Sequence, residues 1–121
     1  MGDFTVVPLV SQRILSVRIE GSLSIEDVRR LRDAQSSAIE TVGWRARGYG
    51  LLVDISGSKI QDSAVASALD GLRTDPTIEP RHMAFVHGGA AAKMQVRRLA
   101  SARGDAVFDV AAEAIAWLKG H

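Results

Sequence analysis

An aspartate closing an apolar run, two serines behind it and an aspartate–serine pair a few residues on form the stretch of this chain best suited to chemistry. It reads Leu51-Leu52-Val53-Asp54-Ile55-Ser56-Gly57-Ser58-Lys59-Ile60-Gln61-Asp62-Ser63-Ala64-Val65. Asp62 is a good helix N-cap, because a short carboxylate accepts the free N–H groups of a first turn. Ser63 then falls on that first turn, roughly opposite Val65 and Leu72 on the helical wheel, and so faces outward. A phosphate on its hydroxyl would bring about −1.5 to −2 charges. The helix dipole and the first-turn N–H groups would favour that charge, and neighbouring Asp62 would oppose it. The plainer alternative is that Asp62 and Ser63 only start the helix. Ser56 and Ser58 are expected in the loop after the apolar run, with Ser56 bonded to nearby backbone.

Other candidate groups are weaker. Gly88-Gly89 precedes a helical pattern and could cradle an anion on backbone N–H groups. It lacks the further glycines, lysine and hydroxyl of a phosphate loop, and a tight strand-to-helix turn explains it better. Lys93, Met94, Arg97 and Arg98 share the side of that helix away from Val96 and Leu99. A methionine among cations suits an acidic partner surface or a second copy of the chain, and a solvated basic face is the alternative. His82 and His87 lie at either end of one short strand, and His121 is terminal. With no cysteine and no acidic cluster beside them, no metal site is expected. No serine sits in a nucleophile elbow, so no catalytic constellation is legible and no cofactor is implied. Trp44 and Trp117, both at helix ends beside apolar stripes, read as packing residues.

The elements that must position these groups follow from periodicity. Phe4–Val10 is rich in β-branched residues, and Leu15, Val17 and Ile19 alternate with Ser16, Arg18 and Glu20. The short Ser11-Gln12 connection between the two runs predicts a hairpin. Ser24 caps a helix with Glu26 and Asp27 in its first turn. Its apolar arc is Ile25, Val28, Leu31, Ala38, Ile39 and Val42, with Arg29 and Asp33 paired outside. The continuously apolar Leu51–Ile55 predicts a central strand covered on both faces. A helix from near Asp62 carries Val65, Leu69 and Leu72. Met83–His87 is another strand, a third helix follows Gly88-Gly89, and Ala106–Phe108 is a last strand. Asp109 is expected to cap a final helix bearing Val110, Ala114, Trp117 and Leu118.

Strands alternating with helices after one hairpin imply an α/β domain. Its expected form is a mixed, mostly parallel sheet of four or five strands, started by a β-hairpin, with four helices packed on it. The 121 residues make a single domain over 1–121, with 46% hydrophobic and 24% charged residues, as in ordinary globular chains. A net charge of +1 argues against a nucleic-acid partner. No apolar run reaches the roughly 18 residues of a membrane span, and the first residues lack a signal-peptide pattern. The expected setting is the cytoplasm.

This order, joined to the central motif, resembles the STAS domain family, in particular its SpoIIAA-like members of the anti-sigma-factor-antagonist type. The strand signature matches as Leu52-Val53-Asp54-Ile55-Ser56, and the helix opening matches as Asp62-Ser63. Ala64-Val65 stand where the family has Ser/Thr-Gly. The ending Glu113-Ala114-Ile115-Ala116-Trp117-Leu118 is similar to a branch grouped with both STAS and CRAL-TRIO-like domains. The resemblance implies a non-enzymatic bacterial regulatory module with Ser63 as phosphoacceptor and Asp54, Ser56, Ser58 and Asp62 around it. Its implied partner is a protein, such as a kinase, an anti-sigma factor or a membrane-protein module. The competing reading is a domain that holds a small molecule or lipid in an apolar cleft between helices and sheet.

Overall fold

A computed structural model of the chain describes residues 2–59, 61–87, 97 and 105–120. Five strands form one sheet in sequential order, β1 Asp3–Leu9, β2 Ile14–Gly21, β3 Gly50–Ser58, β4 His82–Val86 and β5 Ala106–Phe108. β1 and β2 are antiparallel, with Asp3 opposite Glu20 and Leu9 opposite Ile14. A single 3₁₀ turn, Val10–Gln12, and Arg13 in the left-handed region (φ 54°) close the hairpin. Every later pairing is parallel. β3 is the middle strand and is covered on both faces, as its unbroken apolar run requires.

Three α-helices are present among the described residues: α1 Ile25–Val42, α2 Ser63–Arg73 and α3 Ala111–Lys119. Four were expected. The helix predicted after Gly88-Gly89 falls outside the described residues, apart from Arg97, which is helical and exposed.

The start of α1 is fixed by a capping box. Ser24 Oγ accepts from Asp27 N–H at 3.1 Å, and Asp27 Oδ2 accepts from Ser24 N–H at 2.9 Å. The Ser24 N–H first, and then the adjacent Arg30 guanidinium, hold the Asp27 carboxyl below the usual carboxylate range. The helix ends at Gly43, whose φ of 78° is open to glycine at no steric cost, and Trp44 N–H closes back on Ile39 O at 2.9 Å. The buried arc is Val28, Leu31, Gln35 and Ile39. Ile25, expected on the apolar arc, is exposed. Arg29 pairs with Glu26, at 3.5 Å, while Asp33 meets Arg32 at 3.6 Å; the predicted Arg29–Asp33 pair does not form.

The apolar residues divide into two cores, one on each side of the sheet. Leu15, Val17, Ile19, Leu51, Val53 and Ile55 face α1 and α2. Ile14, Leu52, Ala84 and Val86 face Ala114 and Leu118 of α3. Neighbouring β-strand residues point to opposite faces, so one strand such as β3 supplies both cores. Gly50 allows α3 to come close, because a Cβ there would meet Leu118 Cδ2 at 3.3 Å. α3 begins at Val110, whose side chain makes no cap bond. Asp109, expected as the cap, instead pairs with Nε2 of His87 across the ends of β4 and β5.

Trp44 stacks on Tyr49, ring centres 5.8 Å apart, and both belong to the larger core. The Tyr49 hydroxyl donates to the carbonyl of Ile78, and burial pushes the phenol above its ordinary range. Trp117 meets the His82 ring edge-on and Phe108 at a tilt. Both tryptophans are packing residues in this structure.

Candidate functional site

The polar stretch that opened the sequence gathers at the end of β3 and the start of α2. β3 extends to Ser58, so Ser56 and Ser58 belong to the strand rather than to a loop. The pairing with β2 shifts register between Arg18 and Glu20, and Gly57 and Ser58 lie opposite Glu20 and Gly21. Asp54 sits just before this irregularity. Its Oδ1 accepts from both the N–H of Ser56, at 2.9 Å, and the Ser56 hydroxyl, at 2.6 Å. Ser56 is therefore tied to a carboxylate two residues back and not, as its sequence position suggested, to backbone. Ser58 Oγ lies 2.9 Å from the carbonyl of Lys59 and 3.4 Å from that of Gly21.

α2 starts as the sequence predicts. Asp62 is its N-cap, with Oδ1 accepting from Val65 N–H at 3.0 Å and its backbone carbonyl accepting from Ala66 N–H at 2.9 Å. Val65 is buried and draws the helix onto the core, which leaves Ser63 exposed on the opposite side. Among the described residues no group hydrogen-bonds the Ser63 hydroxyl. Of the three motif serines it is the one left available.

Gln61 organises this end of the sheet, and nothing in the sequence singled it out. Its side chain is buried, with 8% of the residue exposed. Oε1 accepts from the buried N–H of Leu23 at 2.7 Å. Nε2 lies 3.0 Å from the carbonyls of Gly21 and Lys59 and from Ser58 Oγ. One amide thus joins the turn before α1, the end of β3 and the approach to α2. A lone glutamine beside an N-cap has no spacing signature, so only the fold reveals this role.

Beneath α2, between it, α1 and the sheet, lies a cavity of about 100 Å³. Its walls are mostly apolar, with Val53, Phe85, Leu31, Leu69 and Leu72 among them. Gln35 of α1 also lines it, and Arg73 and Asp105 flank it. Arg73 holds Asp105 two-pronged, Nε to Oδ2 at 3.2 Å and Nη2 to Oδ1 at 3.1 Å, with side chains only 16% and 5% exposed. These two residues are 32 positions apart, beyond the reach of any local sequence pattern.

Gly88, Gly89, Lys93, Met94 and Arg98 lie outside the described residues. Among the described residues no group of three His, Asp or Glu side chains is placed to hold a metal ion. No described helix is long and apolar enough to cross a membrane.

Comparison with solved structures defines the fold class. A protein from Shewanella loihica PV-4, of the DUF3478 family and with a SpoIIAA-like fold, superposes with a TM-score of 0.75 at 20% identity, over 98% of this chain and 95% of its own. An anti-sigma factor antagonist from Mycobacterium paratuberculosis gives 0.68 at 12% identity, over 98% and 95%. The anti-sigma factor antagonist SpoIIAA in its unphosphorylated form gives 0.64 at 17% identity, over 98% and 100%. The chain has the SpoIIAA-like fold of STAS-like domains, as the motif and element order implied. No family model matches the sequence, and no curated protein matches it.

Proposed function

We propose that the chain is a non-enzymatic regulatory module that meets a protein partner at the β3–α2 end of its sheet, with Ser63 as the hydroxyl on which phosphorylation acts. The observation that carries this reading is the contrast among the three serines. Ser56 and Ser58 are engaged within the domain, whereas Ser63 is exposed, unbonded among the described residues and at a helix start. The likeness in fold to two anti-sigma factor antagonists supports a protein as the partner. A phosphate on Ser63 would add about two negative charges beside Asp62, altering a contact surface without touching the core.

Affinity capture with the whole chain as bait, compared among wild type, Ser63→Asp and Ser63→Ala, tests the proposal. Ser63→Asp should keep the fold and lose the captured partner, while Ser63→Ala keeps it. Phosphopeptide mapping should find Ser63 modified. Identical capture by all three forms, with Ser63 unmodified throughout, would refute it.

A second reading, a domain that takes an apolar ligand, is favoured by the cavity beneath α2. Its sign would be a small molecule retained by the native protein in mass spectrometry.

A further inference from the structure

Gln35 is out of place in the cavity beneath α2. It is only 3% exposed, on the buried arc of α1, among Leu31, Leu69 and Phe85. Its side-chain amide has no hydrogen-bond partner among the described residues. Buried polar groups in folded proteins are almost always satisfied, and this amide, which is accessible from the hollow, is left to be satisfied by whatever occupies it. Lys59 is exposed at the rim, and the other polar groups there are committed among the described residues. Gln61 and Ser58 serve the loop contacts, Arg73 and Asp105 hold each other, and Asp70 has its own interaction.

We infer that this cavity is a binding site for a small, uncharged, apolar molecule carrying one hydroxyl or carbonyl group, which Gln35 recognises. The inference rests on the second reading above and supplies its ligand chemistry. The volume of about 100 Å³ limits the occupant. A hollow of about 150 Å³ lined by aliphatic and aromatic side chains accepts a benzene ring. This cavity is smaller, so one ring is the upper limit and a short branched chain fits more easily. The buried walls disfavour a charged ligand, because Arg73 and Asp105 neutralise each other there and the one further cation of the lining, Lys59, is exposed at the rim. Gln35 can serve either polar group, since its oxygen accepts from a hydroxyl and its nitrogen donates to a carbonyl.

Phenol and toluene are matched probes, alike in shape and different in the hydroxyl. Each is titrated into the full chain while methyl resonances of Val53, Leu69 and Leu72 are followed by NMR. Both should shift these methyls, with phenol binding about three- to tenfold more tightly, the value of one net hydrogen bond. Gln35→Met should abolish that preference and keep toluene binding, and Gln35→Leu serves if the methionine variant does not fold. Phenol and toluene binding alike in the wild type, with no change in the variant, would overturn the role of Gln35 and leave an apolar ligand cavity standing. Absence of any shift with either probe would overturn the inference and the second reading together.

Discussion

Replacing Gln61 by alanine tests how the β3–α2 end of the sheet is held. The substitution deletes one acceptor and one donor nitrogen. The acceptors around that nitrogen keep other partners: the Gly21 carbonyl retains the Lys59 N–H at 3.0 Å, and the Lys59 carbonyl retains Ser58 Oγ at 2.9 Å. The Leu23 N–H is different. It lies in a buried bond, on a residue 6% exposed, and Gln61 Oε1 is the acceptor it has. An orphaned buried donor costs about 1–3 kcal/mol, and the lost bonds to already satisfied carbonyls add a few tenths each. The expected cost of Gln61→Ala is therefore about 2–3 kcal/mol, most of it from one atom. Gln61→Glu keeps the acceptor for Leu23 but points a carboxylate at two carbonyls, so it should cost at least as much. Urea unfolding gives the stability change from the midpoint, provided the slope is unaltered. Amide exchange gives its location: Leu23 should lose protection while Leu52, in the core beneath α3, exchanges only through global opening. A midpoint shift below about 0.5 kcal/mol, the level of an ordinary surface change, or an unchanged Leu23 exchange rate, would refute the assignment.

Two further outcomes are expected. Leu69→Ala should cost about 2–3 kcal/mol, at the low end for a leucine because Leu69 is only partly buried and already borders a hollow, whereas exposed Ser67→Ala should stay within about 0.5 kcal/mol; equal urea midpoints would show that the inner face of α2 has been misassigned. Acid should weaken the link between α1 and the α2–β4 connection. The hydroxyl and N–H of Thr77, then Arg32, hold the Asp75 carboxyl below its ordinary range, so its contribution is complete above about pH 4 and is lost as pH falls through the lower folded value. Asp75→Asn should therefore reduce the loss of stability as pH falls below about 4, and an identical acid limb in both proteins would remove Asp75 from the account.

The parts legible in the sequence were those governed by local or periodic rules. The unbroken apolar run 51–55 gave a central strand because both faces of β3 are covered, and Asp62 gave the start of α2 because capping acts within one turn. Ser24, with Glu26 and Asp27 behind it, marked the start of α1 for the same reason. Local rules misled where a distant group competed for the same atoms. Asp109 looks like a cap, yet His87 takes its carboxylate, and Val110 begins α3 without a side-chain bond. Ser56 and Ser58 look like loop residues, yet β2 continues far enough to pair with Gly57 and Ser58. Gln61, Gln35 and the Arg73–Asp105 pair left no trace, because their meaning depends on residues 32 to 40 positions away or on the shape of a cavity.

The two candidate features share α2, and the way that helix is fastened explains why. α1 buries four residues along its length, Val28, Leu31, Gln35 and Ile39, whereas α2 fully buries only Val65. Beyond Val65 it rests on half-buried Leu69 and Leu72 above the cavity. Polar bonds do the rest: Asp62 and Gln61 at the start, and Arg73 on Asp105 at the end. Apolar contact weakens gradually as surfaces separate, while a hydrogen bond is lost over a fraction of an ångström. A helix pinned at both ends and thinly supported in the middle keeps its termini in register, so Ser63 is presented in a fixed place. Its middle borders the cavity, so a change of contents there disturbs fewer contacts among the described residues than one elsewhere in the larger core would. A charge added at Ser63 and a ligand bound under Leu69 would thus bear on one element, from opposite sides.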